Sequence, residues 1–164
     1  AIYKVVPGSS SRKAFEVETD KLVPYEGDGL PMENAVFGAY NDDGVLLGYG
    51  IPSEGPGFQD TIKLIYGYNP ETKKIIGMEV LESKETPGLG DKIIKDQDFV
   101  DNFKSLSIEP EVVAVKTGTR EAANEVDSIS GATISSKAVV KIINAGNEKF
   151  LPLIASAHES EEQQ

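Results

Sequence analysis

The chain of 164 residues is 39% hydrophobic, enough for one sizeable buried core and too short for two full domains. With 16 Lys and Arg against 27 Asp and Glu the net charge is −11, a surface that repels nucleic-acid backbones and anionic lipid headgroups, so no nucleic-acid partner is expected. There is no cysteine, which rules out disulfides, thiolate metal sites and cysteine nucleophiles. The one histidine, His158, lies in a polar stretch and cannot by itself build a Ser-His triad or a zinc centre. No metal site is expected, and any redox chemistry would come from a bound cofactor. No apolar run is long enough to cross a bilayer, and no signal-like segment is visible. The chain opens Ala1-Ile2-Tyr3-Lys4-Val5-Val6 without an initiator methionine, which fits either processing or the trimming of a preceding segment.

Residues 1–34 read as an N-terminal arm. Ser9-Ser10-Ser11 is a loop, Phe15 to Thr19 alternates as a short strand does, and the prolines and glycines of Lys21 to Pro31 predict irregular backbone. A hairpin follows: Ala35 to Tyr40 and Val45 to Tyr49 flank Asn41-Asp42-Asp43-Gly44, a turn that lacks the spaced oxygen ligands of a calcium loop. Ser53 to Phe58 reads as a break, too polar and Gly-rich for a strand. Ile62 to Tyr68 and Ile75 to Leu81 form a second hairpin around Asn69-Pro70-Glu71-Thr72. Four strands in two hairpins predict an antiparallel sheet with a face free to accept a helix.

Glu85-Thr86-Pro87-Gly88-Leu89-Gly90 comes next, and its Pro and two glycines let backbone turn sharply and lie close to a ligand. On these residues alone, a strand-to-helix connection and a binding loop weigh about evenly. Gly88-x-Gly90 is no dinucleotide fingerprint, since it lacks the third glycine and the βαβ context. Ile93 to Leu106 predicts a helix with Phe99, Val100 and Phe103 inward, and Glu111 to Lys116 a fifth strand that leaves through Thr117-Gly118-Thr119. Lys116 at that strand end is either a solvated lysine or a cation near a phosphate. Asp127-Ser128-Ile129-Ser130-Gly131-Ala132-Thr133 leads into an amphipathic helix over 134–150, with Ile134, Ala138, Val139, Ile142, Ile143 and Phe150 at helical spacing. Small residues and hydroxyls at a helix start suit either an ordinary Ser/Thr cap or an anion such as phosphate. Residues 35–150 thus form one α+β domain, an antiparallel sheet of two hairpins plus a further strand covered by the C-terminal helix. Residues 151–164 are expected to be a polar, acidic, disordered tail.

Two of these stretches carry a resemblance. Asp127…Ser130-Gly131-Ala132-Thr133 resembles the flavinylation motif Asp-x-x-Ser/Thr-Gly-Ala-Thr of FMN-binding domains, and Glu85 to Gly90 resembles the second signature of the same family. Over about Ala35 to Phe150, including Gly55-x-Gly57-Phe58, the chain is similar to the G subunits of Rnf-type electron transport complexes and to the C subunits of sodium-translocating NADH:quinone oxidoreductases. The resemblance implies FMN joined covalently to Thr133 through a phosphodiester. Asp127, Ser130, Gly131, Ala132, Ser135 and Ser136 would stand around it to orient Thr133 or to be recognised by a dedicated flavin transferase. Glu85, Thr86, Gly88, Leu89 and Gly90 would lie against the flavin, with Lys116 nearby. It also implies an electron carrier with no catalytic acid or base, among other subunits of a membrane complex that drives ion translocation. The domain would sit on the extracytoplasmic side of the cytoplasmic membrane, held by one transmembrane helix ahead of Ala1. The alternatives are a free-standing extracytoplasmic FMN-dependent reductase and a module of the same fold without flavin.

Overall fold

The computed structural model describes residues 2–18, 21–25, 35–57, 61–83, 92–109 and 111–162. A short helix α1 (Ile2–Val5) precedes strands β1 (Ser11–Glu18), β2 (Lys21–Pro24), β3 (Ala35–Tyr40), β4 (Leu46–Pro56), β5 (Thr61–Asn69) and β6 (Lys74–Glu82). Then come α2 (Lys92–Lys95), α3 (Gln97–Asp101), β7 (Leu106–Ser107), β8 (Val113–Val115), β9 (Glu125–Asp127) and α4 (Thr133–Glu162). Seven strands form one antiparallel sheet in the order β2-β1-β3-β4-β5-β6-β7, and β8 pairs with β9 in a separate two-stranded parallel ladder. The α+β expectation holds. Both hairpins form where the turn residues put them, with Asn41 Oδ1 accepting the Asp43 N–H at 2.9 Å and Asn69 Oδ1 the Glu71 N–H at 2.9 Å.

Strand alternation divides the apolar residues between two faces. Ile62, Leu64, Tyr66 and Tyr68 of β5 join the larger core under α4, whereas Ile65 joins Ile2, Val5, Val6, Phe37 and Ala39 in a smaller core under α1. The helix α4 lies across β4, and its approach is set by glycine. A Cβ on Gly146 would fall 2.5 Å from Tyr66 Oη and 2.6 Å from Ser53 Oγ. Tyr66 Oη donates to Asn147 Oδ1 at 2.9 Å and to the Ile143 carbonyl at 3.3 Å, so the same contact is both tight and hydrogen-bonded.

Several expectations are corrected. The break at Ser53 to Phe58 is instead the end of β4, paired with β5 as far as Pro56 and Thr61; Phe58 lies outside the described residues. Gly55 is there for packing, because a Cβ would meet Ile142 Cγ1 at 2.8 Å. Within Lys21 to Pro31 the chain forms β2, an edge strand, rather than irregular backbone as far as Pro24. The expected helix over Ile93 to Leu106 is two short helices ending before β7, and the fifth strand is β8, which leaves the main sheet to pair with β9. The helix α4 continues through Pro152 to Glu162 where a disordered tail was expected. Ile154 is fully buried and Leu151 and Leu153 pack on the core, which offsets the backbone bond that proline removes. Among the described residues, no helix is long and apolar enough to cross a membrane.

Candidate functional site

The segment from Asp127 to Thr133 is pinned residue by residue. Ser128 N–H donates to the Val115 carbonyl at 2.9 Å and its carbonyl accepts from Thr117 Oγ1 at 2.5 Å, so the β8–β9 unit holds this point from one side. Ile129 N–H donates to Ser136 Oγ at 3.0 Å, and that hydroxyl donates in turn to the Ala132 carbonyl at 2.8 Å. Ala132 N–H closes the turn onto the Ile129 carbonyl at 3.0 Å, with Gly131 at φ +82°, a left-handed conformation that side chains with a Cβ adopt at a cost. Ala132 then stands at the cap of α4, its carbonyl accepting from Ser136 N–H at 3.0 Å. It has no side-chain oxygen with which to cap the first turn, so the ordinary Ser/Thr cap is not what this sequence built.

Thr133 is therefore the first residue of α4 and is exposed, as are Ser130, Gly131 and its neighbour Ile134. Ser135 and Ser136 are buried, and Ser136 serves the turn from inside, where no partner protein reaches it. A cleft of about 600 Å³ opens beside this segment, lined by Ser128, Ile129 and Ser130, by Thr117 and Gly118, and by Asp96 and Phe99 of the α2–α3 region. That volume is in the range of small-molecule sites, whose usual span is about 300–1,000 Å³. Asp127 lines it too, its Oδ1 accepting the Arg120 N–H at 3.0 Å. Lys116 is exposed in the adjoining turn, where its carbonyl accepts from Thr119 N–H at 3.0 Å, and its immediate successors Thr117 and Gly118 line the cleft. Glu85, Thr86, Gly88, Leu89 and Gly90 lie outside the described residues.

Other groups on this side were not singled out from the sequence. Asn102, at the end of α3, is a buried amide between Phe99 and Phe103 in the run of inward-facing positions; a polar residue at apolar spacing is the signal that would have marked it. Arg120 donates through Nη1 to Asn102 Oδ1 at 3.1 Å. Glu125, at the start of β9, has its carboxyl held below the usual range by the N–H groups of Ala122 and Glu121, at 2.9 and 2.8 Å. Among the described residues, no three acidic, histidine or cysteine side chains are grouped to hold a metal ion.

An exposed threonine opens a helix behind a fixed turn whose Ser128 to Ser130 line a cleft, and this arrangement can present a hydroxyl and a helix N-terminus to a phosphate. FMN, which has a flat ring system and one phosphate, fits the cleft volume and this terminus. The profile of the FMN-binding domain matches residues 57–147. The G subunit of the sodium-translocating ferredoxin:NAD+ oxidoreductase complex of Acetobacterium woodii is 31% identical over 144 residues, 86% of this chain and 68% of that one. The G subunit of an ion-translocating oxidoreductase complex of Methanosarcina acetivorans is 29% identical over 145 residues, 88% of this chain and 70% of that one. Among solved structures, the C subunit of the sodium-translocating NADH-quinone reductase of Parabacteroides distasonis superposes with a TM-score of 0.70 at 28% identity, covering 88% of this chain and 77% of that one. NqrC of Shewanella oneidensis, at a TM-score of 0.66 and 20% identity over 87% of this chain and 82% of that one, shares the fold.

Proposed function

The chain belongs to the FMN-binding domain family, and from that premise we propose that it is the FMN-carrying, electron-transferring component, of the G-subunit type, of a membrane-bound ion-translocating oxidoreductase, with FMN joined to Thr133 by a phosphodiester. The observation that carries the reading is the delivery of Thr133: the first helical residue, exposed, after a turn fixed by Gly131 and Ser136 whose preceding residues Ser128 to Ser130 line a cleft of sufficient size. When bound, the flavin supplies the electron chemistry and the protein supplies attachment, orientation and field. Thr133 contributes its hydroxyl to the linkage. In the linkage the Thr133 Oγ1 would displace the leaving group on the phosphate of an activated flavin donor, so that it would become one of the two ester oxygens of the phosphodiester. The hydroxyl proton passes to a base of the transferase, since this chain places no histidine beside Thr133.

The N-terminus of α4 would face the esterified phosphate and its dipole would favour that charge, which would offset the acidic side chains around the cleft. Lys116 and Arg120 add positive charge on the same side. Glu85, Thr86, Gly88, Leu89 and Gly90, by the family resemblance, would lie against the flavin. The other subunits of the complex donate and accept the electrons. A membrane helix ahead of this domain and an extracytoplasmic position complete the reading.

The test is the intact mass of the chain coexpressed with a flavin transferase, beside Thr133→Ala. The expected gain is one FMN less one water, absent in the variant. No gain in the native chain, with the transferase active on a control acceptor, overturns the reading, as does an unchanged gain in Thr133→Ala.

A further inference from the structure

Asn102 is 5% exposed, and its amide uses both ends. Oδ1 accepts the Asp127 N–H at 3.2 Å and Arg120 Nη1 at 3.1 Å; Nδ2 donates to the Phe99 carbonyl at 3.0 Å and to the Asp127 carbonyl at 3.3 Å. One side chain from α3 thus grips the N–H and the carbonyl of the residue at which the Thr133 segment begins. The other ties of that segment come from Val115, Thr117, the Arg120 N–H and Ser136, that is, from the β8–β9 side and from α4 itself. Helices α2 and α3 directly follow the Glu85–Gly90 stretch in the chain, and α3 lines the cleft through Asp98 and Phe99. Asn102 therefore joins the α3 wall of the cleft to the Asp127–Ser130 wall, 25 positions on in the chain.

We propose that Asn102 is a positioning residue that ties the Asp127–Ser130 wall of the cleft to α3 and so fixes the turn that carries Thr133, so that the acceptor hydroxyl and the attached flavin occupy one place rather than several. This rests on the reading of Thr133 as the FMN acceptor. An amide is required because the peptide of Asp127 presents a donor and an acceptor together, and only a side chain with both answers it. A carboxylate at 102 keeps the two bonds accepted by Oδ1 and loses those given by Nδ2.

The experiment compares native chain, Asn102→Ala and Asn102→Asp in three measurements: amide exchange, rate of FMN transfer by a flavin transferase, and fluorescence anisotropy of the attached flavin. Asn102→Ala is expected to speed exchange at the Asp127 amide while amides of β4 to β6 keep their protection. It should slow FMN transfer about tenfold, as a misplaced reacting group does, and lower the anisotropy. Asn102→Asp should recover part of both. Native transfer rate and native anisotropy in Asn102→Ala overturn the proposal. If that variant does not fold, Asn102→Asp decides: intermediate values support the proposal and native values overturn it. If the native chain takes up no FMN while a control acceptor does, the Thr133 reading falls and the inference with it.

Discussion

Gly131 has a positive φ with no atom within 4 Å of where a Cβ would stand, so an alanine there would strain the backbone and touch nothing. Gly131→Ala should lower the unfolding free energy by about 1 kcal/mol, read by urea denaturation, and should slow FMN uptake, because the strain falls two residues before the proposed acceptor. At this scale the sequence is readable where function is local. Asp127 to Thr133 could be recognised because its seven residues act as one turn and one helix start. Asn102 could not, because its partners Arg120 and Asp127 lie 18 and 25 positions away and only the folded chain brings them to it. Ser136 counts in both ways: its place in the motif was visible, but its burial and its work inside the turn were not.

Between elements, the seat of α4 on the sheet depends on Gly146 and Tyr66. Gly146→Ala gains helix propensity of about 1 kcal/mol and loses more to the buried Tyr66 Oη and Ser53 Oγ, since overpacking costs about 1–3 kcal/mol. The expected net loss is about 1 kcal/mol in the native background. In a Tyr66→Phe background, where the closer of the two oxygens is gone, the same change should cost less, and a double-mutant cycle measures the difference. Burial holds the Tyr66 phenol well above its ordinary range. The sign follows from linkage: an unfolded tyrosine ionises near pH 10 and the buried one does not, so stability is intact below about pH 10 and falls above it as only the unfolded chain releases that proton. An alkaline titration followed by tyrosinate absorbance should show one phenol that ionises only together with unfolding. A phenol set that titrates fully in the folded chain would contradict this. The helix and both hairpins were legible because their periodicity and turn residues are strong. The course of β4 through Ser53 to Pro56 was hidden, since Gly55 reads as a breaker until Ile142 is seen against it.

The whole molecule is a sheet with two cores, and the smaller one had no sequence signal beyond a few apolar residues at the start. Ile2, Val5 and Val6 are buried because Gly67 and Gly77, paired across β5 and β6, leave room for the Val5 backbone. A Cβ on Gly77 would lie 2.6 Å from the Val5 carbonyl oxygen, and one on Gly67 would fall on it. Gly67→Ala should therefore expel α1, and with it the burial of three aliphatic side chains worth about 1.5–3 kcal/mol each. The check is a lower denaturation midpoint together with protease cleavage near Pro7. FMN uptake at Thr133 should persist at temperatures where the variant is folded, because α4 belongs to the other core.

The seating of α1 also has a mechanical meaning. A carbonyl lodged between two glycines of neighbouring strands, with Ile2 and Val5 on the same sheet face, is a keyed joint and not a swivel. A pull on α1 meets these seated residues all at once before any strand can peel. The larger core, on the other face under α4, would keep its packing under such a load.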